Sequence, residues 1–233
     1  MIPRDYVWLV WSSAFLVPWL GLYLAFPRHR RAMLWASAFT TPFGLTEPFF
    51  VPTYWSPPSL FDLARRTGFD IESLIFCFGI GGVGAVLVNV LTGRVARTVP
   101  PTERGQWRHR FHRWALAGPF VVFTILYPTG WNPIYSGIVA MFAGGTLTVW
   151  CRPDLARNSV LGGLIFLGYY AVFLTGLELT APPGYIEAVW NLPALSGMRL
   201  GFMPVEELLF ALAFGTYWSG VYEHFRWKRP ASG

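Results

Sequence analysis

Residues 69–91 read FDIESLIFCFGIGGVGAVLVNVL. About 20 mostly apolar residues are needed to cross about 30 Å of hydrocarbon, and only helices or closed barrels satisfy the backbone there. The run is continuous rather than alternating, so it reads as a membrane helix with Asp70 and Glu72 at its start. Gly79-Ile-Gly-Gly-Val-Gly84 matches G-x-G-x-x-G literally. That motif binds dinucleotides only after a strand and before a helix. Inside an apolar helix, small residues instead let neighbouring helices approach, as do Gly144/Gly145 and Gly162/Gly163.

Working outward, similar apolar runs occupy Tyr6–Phe26, Ala32–Val51, Trp114–Tyr127, Pro133–Trp150, Val160–Leu179 and Phe202–Tyr222. Prolines 18, 42, 48 and 119 are expected to kink them. The chain has 233 residues, 54% hydrophobic and 13% charged, against about 25% charged in soluble domains. The expectation is an all-α polytopic membrane bundle of about seven transmembrane helices, forming one membrane domain over residues 1–233. The N-terminal run shows no small-residue cleavage site before PRHRR and reads as a retained first span. The two cysteines, Cys77 and Cys151, lack disulfide-framework or zinc spacing.

Charge is sorted by loop. All but Arg4, Arg65, Arg66 and Arg199 of the 18 Lys and Arg fall in one alternate set of loops. Of the 12 acids, only Glu103, Asp154 and Glu223 share those loops. The positive-inside rule then places the N-terminus outside and the C-terminus inside, in a cytoplasmic membrane. Loop placement thus accounts for the net charge of +6, and no nucleic-acid partner is expected. The basic loop of residues 94–113 suits topology and anionic lipid.

Two segments resemble each other. Trp-x-x-Pro-x-Leu occurs at Trp55/Pro58/Leu60 and at Trp190/Pro193/Leu195, and Glu-x-Leu-x-Phe at Glu72/Phe76 and Glu206/Phe210. This predicts two parallel three-helix repeats, about 6–95 and 133–226, joined by a connecting helix at about 110–128. Their acids would gather at one membrane face.

A carboxyl group in lipid is costly and marks a functional candidate. Glu206 and Glu207 follow Pro204, where acids also suit a helix N-terminus. Glu72 holds the same place in the third run. Glu47 and Glu178 close helices, where an acid opposes the dipole. Trp55, Trp190 and Tyr54 either form an interfacial belt or line a pocket and stabilise a cation. No Ser/His/Asp constellation, phosphate loop or Glu-x-x-His pair is present, and neither metal nor cofactor is expected.

Pro204-Val205-Glu206-Glu207 with Phe210 resembles the Pro-(Val/Leu)-Glu-Glu motif of the small, flavin-independent membrane lycopene cyclases, found as paired subunits or one fused chain. Trp190 and Leu195-Ser-Gly197 resemble that family's upstream Trp and Leu-Thr-Gly. In the first half Thr40-Thr41-Pro42 resembles the opening of Thr-Thr-Pro-Trp-Asp-Asn. Phe43-Gly44-Leu45 and Asp70-Ile71-Glu72-Ser73 depart from the family's two first-half motifs.

The resemblance implies a linear, lycopene-like carotenoid taken from the bilayer and an acid-catalysed cyclisation of its end group without redox change. Glu206 and Glu207 would form the acid pair, with Glu72, Glu47 and Glu178 as partners. Trp55, Trp190, Phe76 and Phe210 would bind substrate. A carotenoid hydratase using the same cation and a non-catalytic carotenoid-binding protein remain alternatives, as does a proton-coupled carrier. A prenyltransferase would want Asp-rich magnesium motifs, and none appears.

Overall fold

A computed structural model describes residues 1–232. The fold is all-α apart from two short antiparallel ribbons. Helix α1 covers Arg4–Ala25 and is interrupted at Phe15, three residues before Pro18, whose missing N–H leaves the Ala14 carbonyl without its i+4 donor. Helix α2, Arg30–Thr40, passes into a 3-10 segment, Thr41–Phe49, where Pro42 and Pro48 each remove a donor. Helix α3 is Ile71–Leu91, α4 is His112–Leu126, α5 is Pro133–Cys151 and α6 is Pro153–Thr180. Helices α7, Val205–Trp218, and α8, Val221–Phe225, end the helical part.

Strand β1, Arg94–Thr98, pairs with β4, Lys228–Ser232; β2, Arg199–Leu200, pairs with β3, Met203–Pro204. The β1–β4 ribbon ties the basic loop after α3 to the C-terminal tail.

This architecture corrects two expectations. Among the described residues, only α1, α3, α5 and α6 are long and apolar enough to cross a membrane, four helices instead of about seven. The run at Ala32–Val51 is divided between an 11-residue helix and the proline-broken 3-10 segment. The run at Trp114–Tyr127 makes the 15-residue α4, and that at Phe202–Tyr222 makes the 14-residue α7 and the short α8. At 1.5 Å per residue, α4 and α7 extend only about 20 Å, short of the hydrocarbon core. The parallel three-helix repeats with a connecting helix are likewise not found as a clear architecture. The 21-residue α3 would have to match the 14-residue α7, and the broken 3-10 segment would have to match the continuous end of α6.

The outer surface is apolar. Val17, Leu24, Ile125, Leu164, Val172 and Leu179 are all exposed, as on a surface bathed in acyl chains rather than water. The chain is a membrane protein with several apolar, spanning-length helices.

Close helix contacts run through glycines. A Cβ on Gly215 of α7 would lie 2.3 Å from the carbonyl oxygen of Gly162 on α6. A Cβ on Gly44 would lie 2.8 Å from the Leu74 backbone nitrogen, so this glycine lets the 3-10 segment rest directly on α3. That contact carries Glu47 to the start of α3.

Candidate active site

One end of the bundle collects acids from three elements. Asp70 caps α3, accepting from the Ser73 backbone N–H at 2.5 Å. The capped Ser73 in turn donates its hydroxyl to Glu47 Oε1 at 2.6 Å. Trp55 Nε1 donates to Glu47 Oε2 at 3.2 Å.

Glu207, on the first turn of α7, is buried and receives three donors. Tyr54 donates its hydroxyl to Oε1, Trp190 Nε1 donates to the same oxygen at 2.7 Å, and the Tyr170 hydroxyl of α6 donates to Oε2 at 2.7 Å. The loops bearing Tyr54 and Trp190 are fastened together. Trp55 and Trp190 form an antiparallel bridge, and the Asn191 N–H donates to the Tyr54 carbonyl at 2.9 Å.

Between these groups lies a cavity of about 420 Å³, within the range of about 300–1,000 Å³ common for small-molecule sites. The carboxyl-bearing residues on its wall are Glu47 and Glu207. Trp55, Trp190, Phe76 and Phe210, the four aromatic residues expected to hold substrate, all line it, as do Trp8, Tyr170 and Phe214. On one side the wall is Phe49, Phe120 and Thr124, all exposed. The cavity therefore reaches the outer face of the bundle between the 3-10 segment and α4.

The other expected acids lie apart from the cavity wall. Glu206 is buried beside Glu207 but turns the other way. It accepts from the Tyr135 hydroxyl at 2.7 Å and the Ser196 N–H at 2.8 Å. Adjacent helical residues point about 100° apart, so only one of the two faces the cavity. Glu72 is buried and accepts from the Leu60 N–H at 2.6 Å. Oε2 of Glu72 and of Glu206 has no hydrogen-bond partner among the described residues. Glu178 sits half-buried near the end of α6.

Sequence reading missed Ser73 and Tyr170. The signal for Tyr170 was the Tyr169-Tyr170 pair in the middle of a mostly apolar run. Ser73 had a signal too, at the N3 position after an Asp cap.

No curated protein and no solved structure shows a significant match to this chain. A family model described as lycopene cyclase matches residues 132–225, which include α5, α6, α7 and the loop bearing Trp190. The match covers less than half of the chain, with Tyr170, Trp190, Glu206 and Glu207 inside it and Glu47, Tyr54, Trp55 and Ser73 outside.

Proposed function

We propose that the protein cyclises the end group of a linear, lycopene-like carotenoid by acid catalysis, with Glu47 and Glu207 as the proton-handling pair. The observation that carries this reading is two carboxyl groups on the wall of one aromatic-lined cavity. The matched lycopene cyclase family supports the reaction class.

The chemistry conserves atoms and electrons. A neutral carboxylic acid gives its proton to C2 of the terminal isoprene unit, leaving a tertiary cation at C1. The C5=C6 double bond attacks C1 and closes the ring. A proton then leaves, from C6 for a β-ring, to a carboxylate. Three donors on Glu207 against two on Glu47 make Glu207 the better place for negative charge, because hydrogen bonds to a carboxylate favour it. Glu207 is assigned the base and Glu47 the acid, a division set by environment. Aromatic faces of Trp55, Trp190 and Phe210 stabilise the cation, and the dry wall keeps water from capturing it. Glu206, Glu72 and Glu178 act outside the cavity. Glu206 and Glu72 hold the Ser196 and Leu60 loops against helix starts.

In the proposed topology the acid-rich end faces outward and the basic loops face the cytoplasm, following the loop charges. The carotenoid enters from the bilayer past Phe49 and Phe120.

The test is expression in cells that accumulate lycopene, followed by pigment analysis. A cyclised product of unchanged mass that disappears in Glu207→Gln and Glu47→Gln supports the assignment. Product heavier by one water would make the protein a hydratase, and bound pigment without turnover would make it a carrier.

A further inference from the structure

The opposite, basic end of the bundle holds a second cluster that the proposed reaction does not use. His112 opens α4, Cys151 closes α5, and His224 lies in α8; all three are buried. One potential ligand atom from each falls within 4.8 Å of the others. Cys151 Sγ is 3.6 Å from His112 Nδ1 and 3.7 Å from His109 Nδ1. With Zn–S of about 2.3 Å and Zn–N of about 2.0–2.1 Å, two ligands on one tetrahedral zinc stand about 3.6 Å apart. The sulfur stands at that spacing from each of these two imidazoles.

His224 supplies an independent observation. Its Nδ1 lies 3.1 Å from the Thr148 hydroxyl oxygen, while its buried Nε2 has no hydrogen-bond partner among the described residues. Ligating histidines usually have the second ring nitrogen fixed in this way. The ring packs edge-on against His112, with centroids 4.7 Å apart, and His112 stacks on Trp227 at 4.0 Å.

From this geometry we infer that Cys151, His112 and His224 form a binding site for a zinc-class divalent cation, with His109 beside the same thiol. One thiolate with imidazoles is the donor set that zinc and other borderline metals prefer. Binding releases the Cys151 thiol proton to solvent and forms the sulfur–metal bond, with no change of oxidation state. Arg152 is the nearby competing charge. Its guanidinium is engaged by both oxygens of Asp154, at 2.8 and 2.6 Å, and by the Lys228 carbonyl at 2.6 Å. The site would fasten the starts and ends of three helices beneath the β1–β4 ribbon.

The competing reading is a set of thiol-to-imidazole hydrogen bonds in a dry cluster. Cobalt(II) titration of the chelator-treated, detergent-purified full chain separates the two. The expected result is saturation at one cobalt per chain, with the intense near-ultraviolet band of a thiolate–cobalt bond. That band should survive Cys77→Ser and vanish in Cys151→Ser, and His224→Gln should move the titration to higher cobalt. A wild-type protein that shows no thiolate–cobalt band overturns the proposal, whatever the fate of the variants. So does a band that persists in Cys151→Ser.

Discussion

Trp55 and Trp190 face each other with ring centroids 5.7 Å apart, and their indole N–H groups reach different carboxylates, Glu47 for Trp55 and Glu207 for Trp190. The bridge between the two loops therefore sets the position of both acids at once.

Glu207→Gln preserves volume while removing the charge. Conversion of a linear carotene by this variant is expected to fall by about 10²–10⁴-fold, the usual worth of a positioned proton-transfer group. The protein should still purify from membranes. Pigment chromatography against wild type at matched protein level checks it, and undiminished conversion would remove Glu207 from the chemistry.

Glu206→Gln offers a sharp contrast. This side chain takes both the Tyr135 hydroxyl and the Ser196 N–H on Oε1, outside the cavity, and Gln keeps that oxygen only as a neutral, weaker acceptor. The variant is expected to retain most conversion and to melt at a lower temperature. Equal loss in Glu206→Gln and Glu207→Gln would contradict the assignment of only one of them to the cavity.

Trp190→Phe keeps an aromatic wall but deletes one of the three donors on Glu207. A hydrogen bond to a charged group contributes about 1.5–3 kcal/mol, so turnover should drop by roughly tenfold or more. Trp55→Phe, which deletes a longer bond to Glu47, should have the smaller effect in the same assay.

Gly215→Ala tests the packing beneath the site. The added Cβ would meet the Gly162 carbonyl at 2.3 Å, so α6 and α7 must separate. Overpacking of this kind costs about 1–3 kcal/mol, readable as a lower melting temperature in detergent. Because Tyr170 and Glu207 lie on these two helices, conversion should fall as well.

Asn89→Ala tests the far end of α3. Asn89 donates to Glu223 at 2.8 Å and accepts from Asn158 at 2.9 Å in a fully buried network. Leaving such groups without partners costs about 1–3 kcal/mol. A melting temperature equal to wild type would mean that the network contributes little.

The sequence made the aromatic side of the cavity legible and the acidic side only partly so. Trp55, Trp190, Phe76 and Phe210 stood out because two short motifs, one for the tryptophans and one for the phenylalanines, each occur twice, and all four line the cavity. Glu206 and Glu207 could not be separated by sequence, since the direction of a side chain at a helix start depends on what packs around it. The number of crossings failed for another reason. Hydropathy registers apolar residues but not the loss of helix at Pro42 and Pro48, nor the shortness of α4 and α7. The loop charges alternated as seven crossings would require, and helix length overturns that number. His109, His112, Cys151 and His224 were invisible as a group because their proximity is created by tertiary packing, with no local spacing to announce it.

The mouth framed by Phe49, Phe120 and Thr124 opens sideways. If the proposed cyclisation holds, a catalyst built this way would grip one terminus of a long, greasy thread and leave the remainder dissolved among lipid tails. Discrimination would then rest on the shape of the first few carbons, while overall length would go unmeasured. Truncated polyenes bearing the same tip should compete with full-length ones on nearly equal terms, and a thread with two identical tips should return for a second visit.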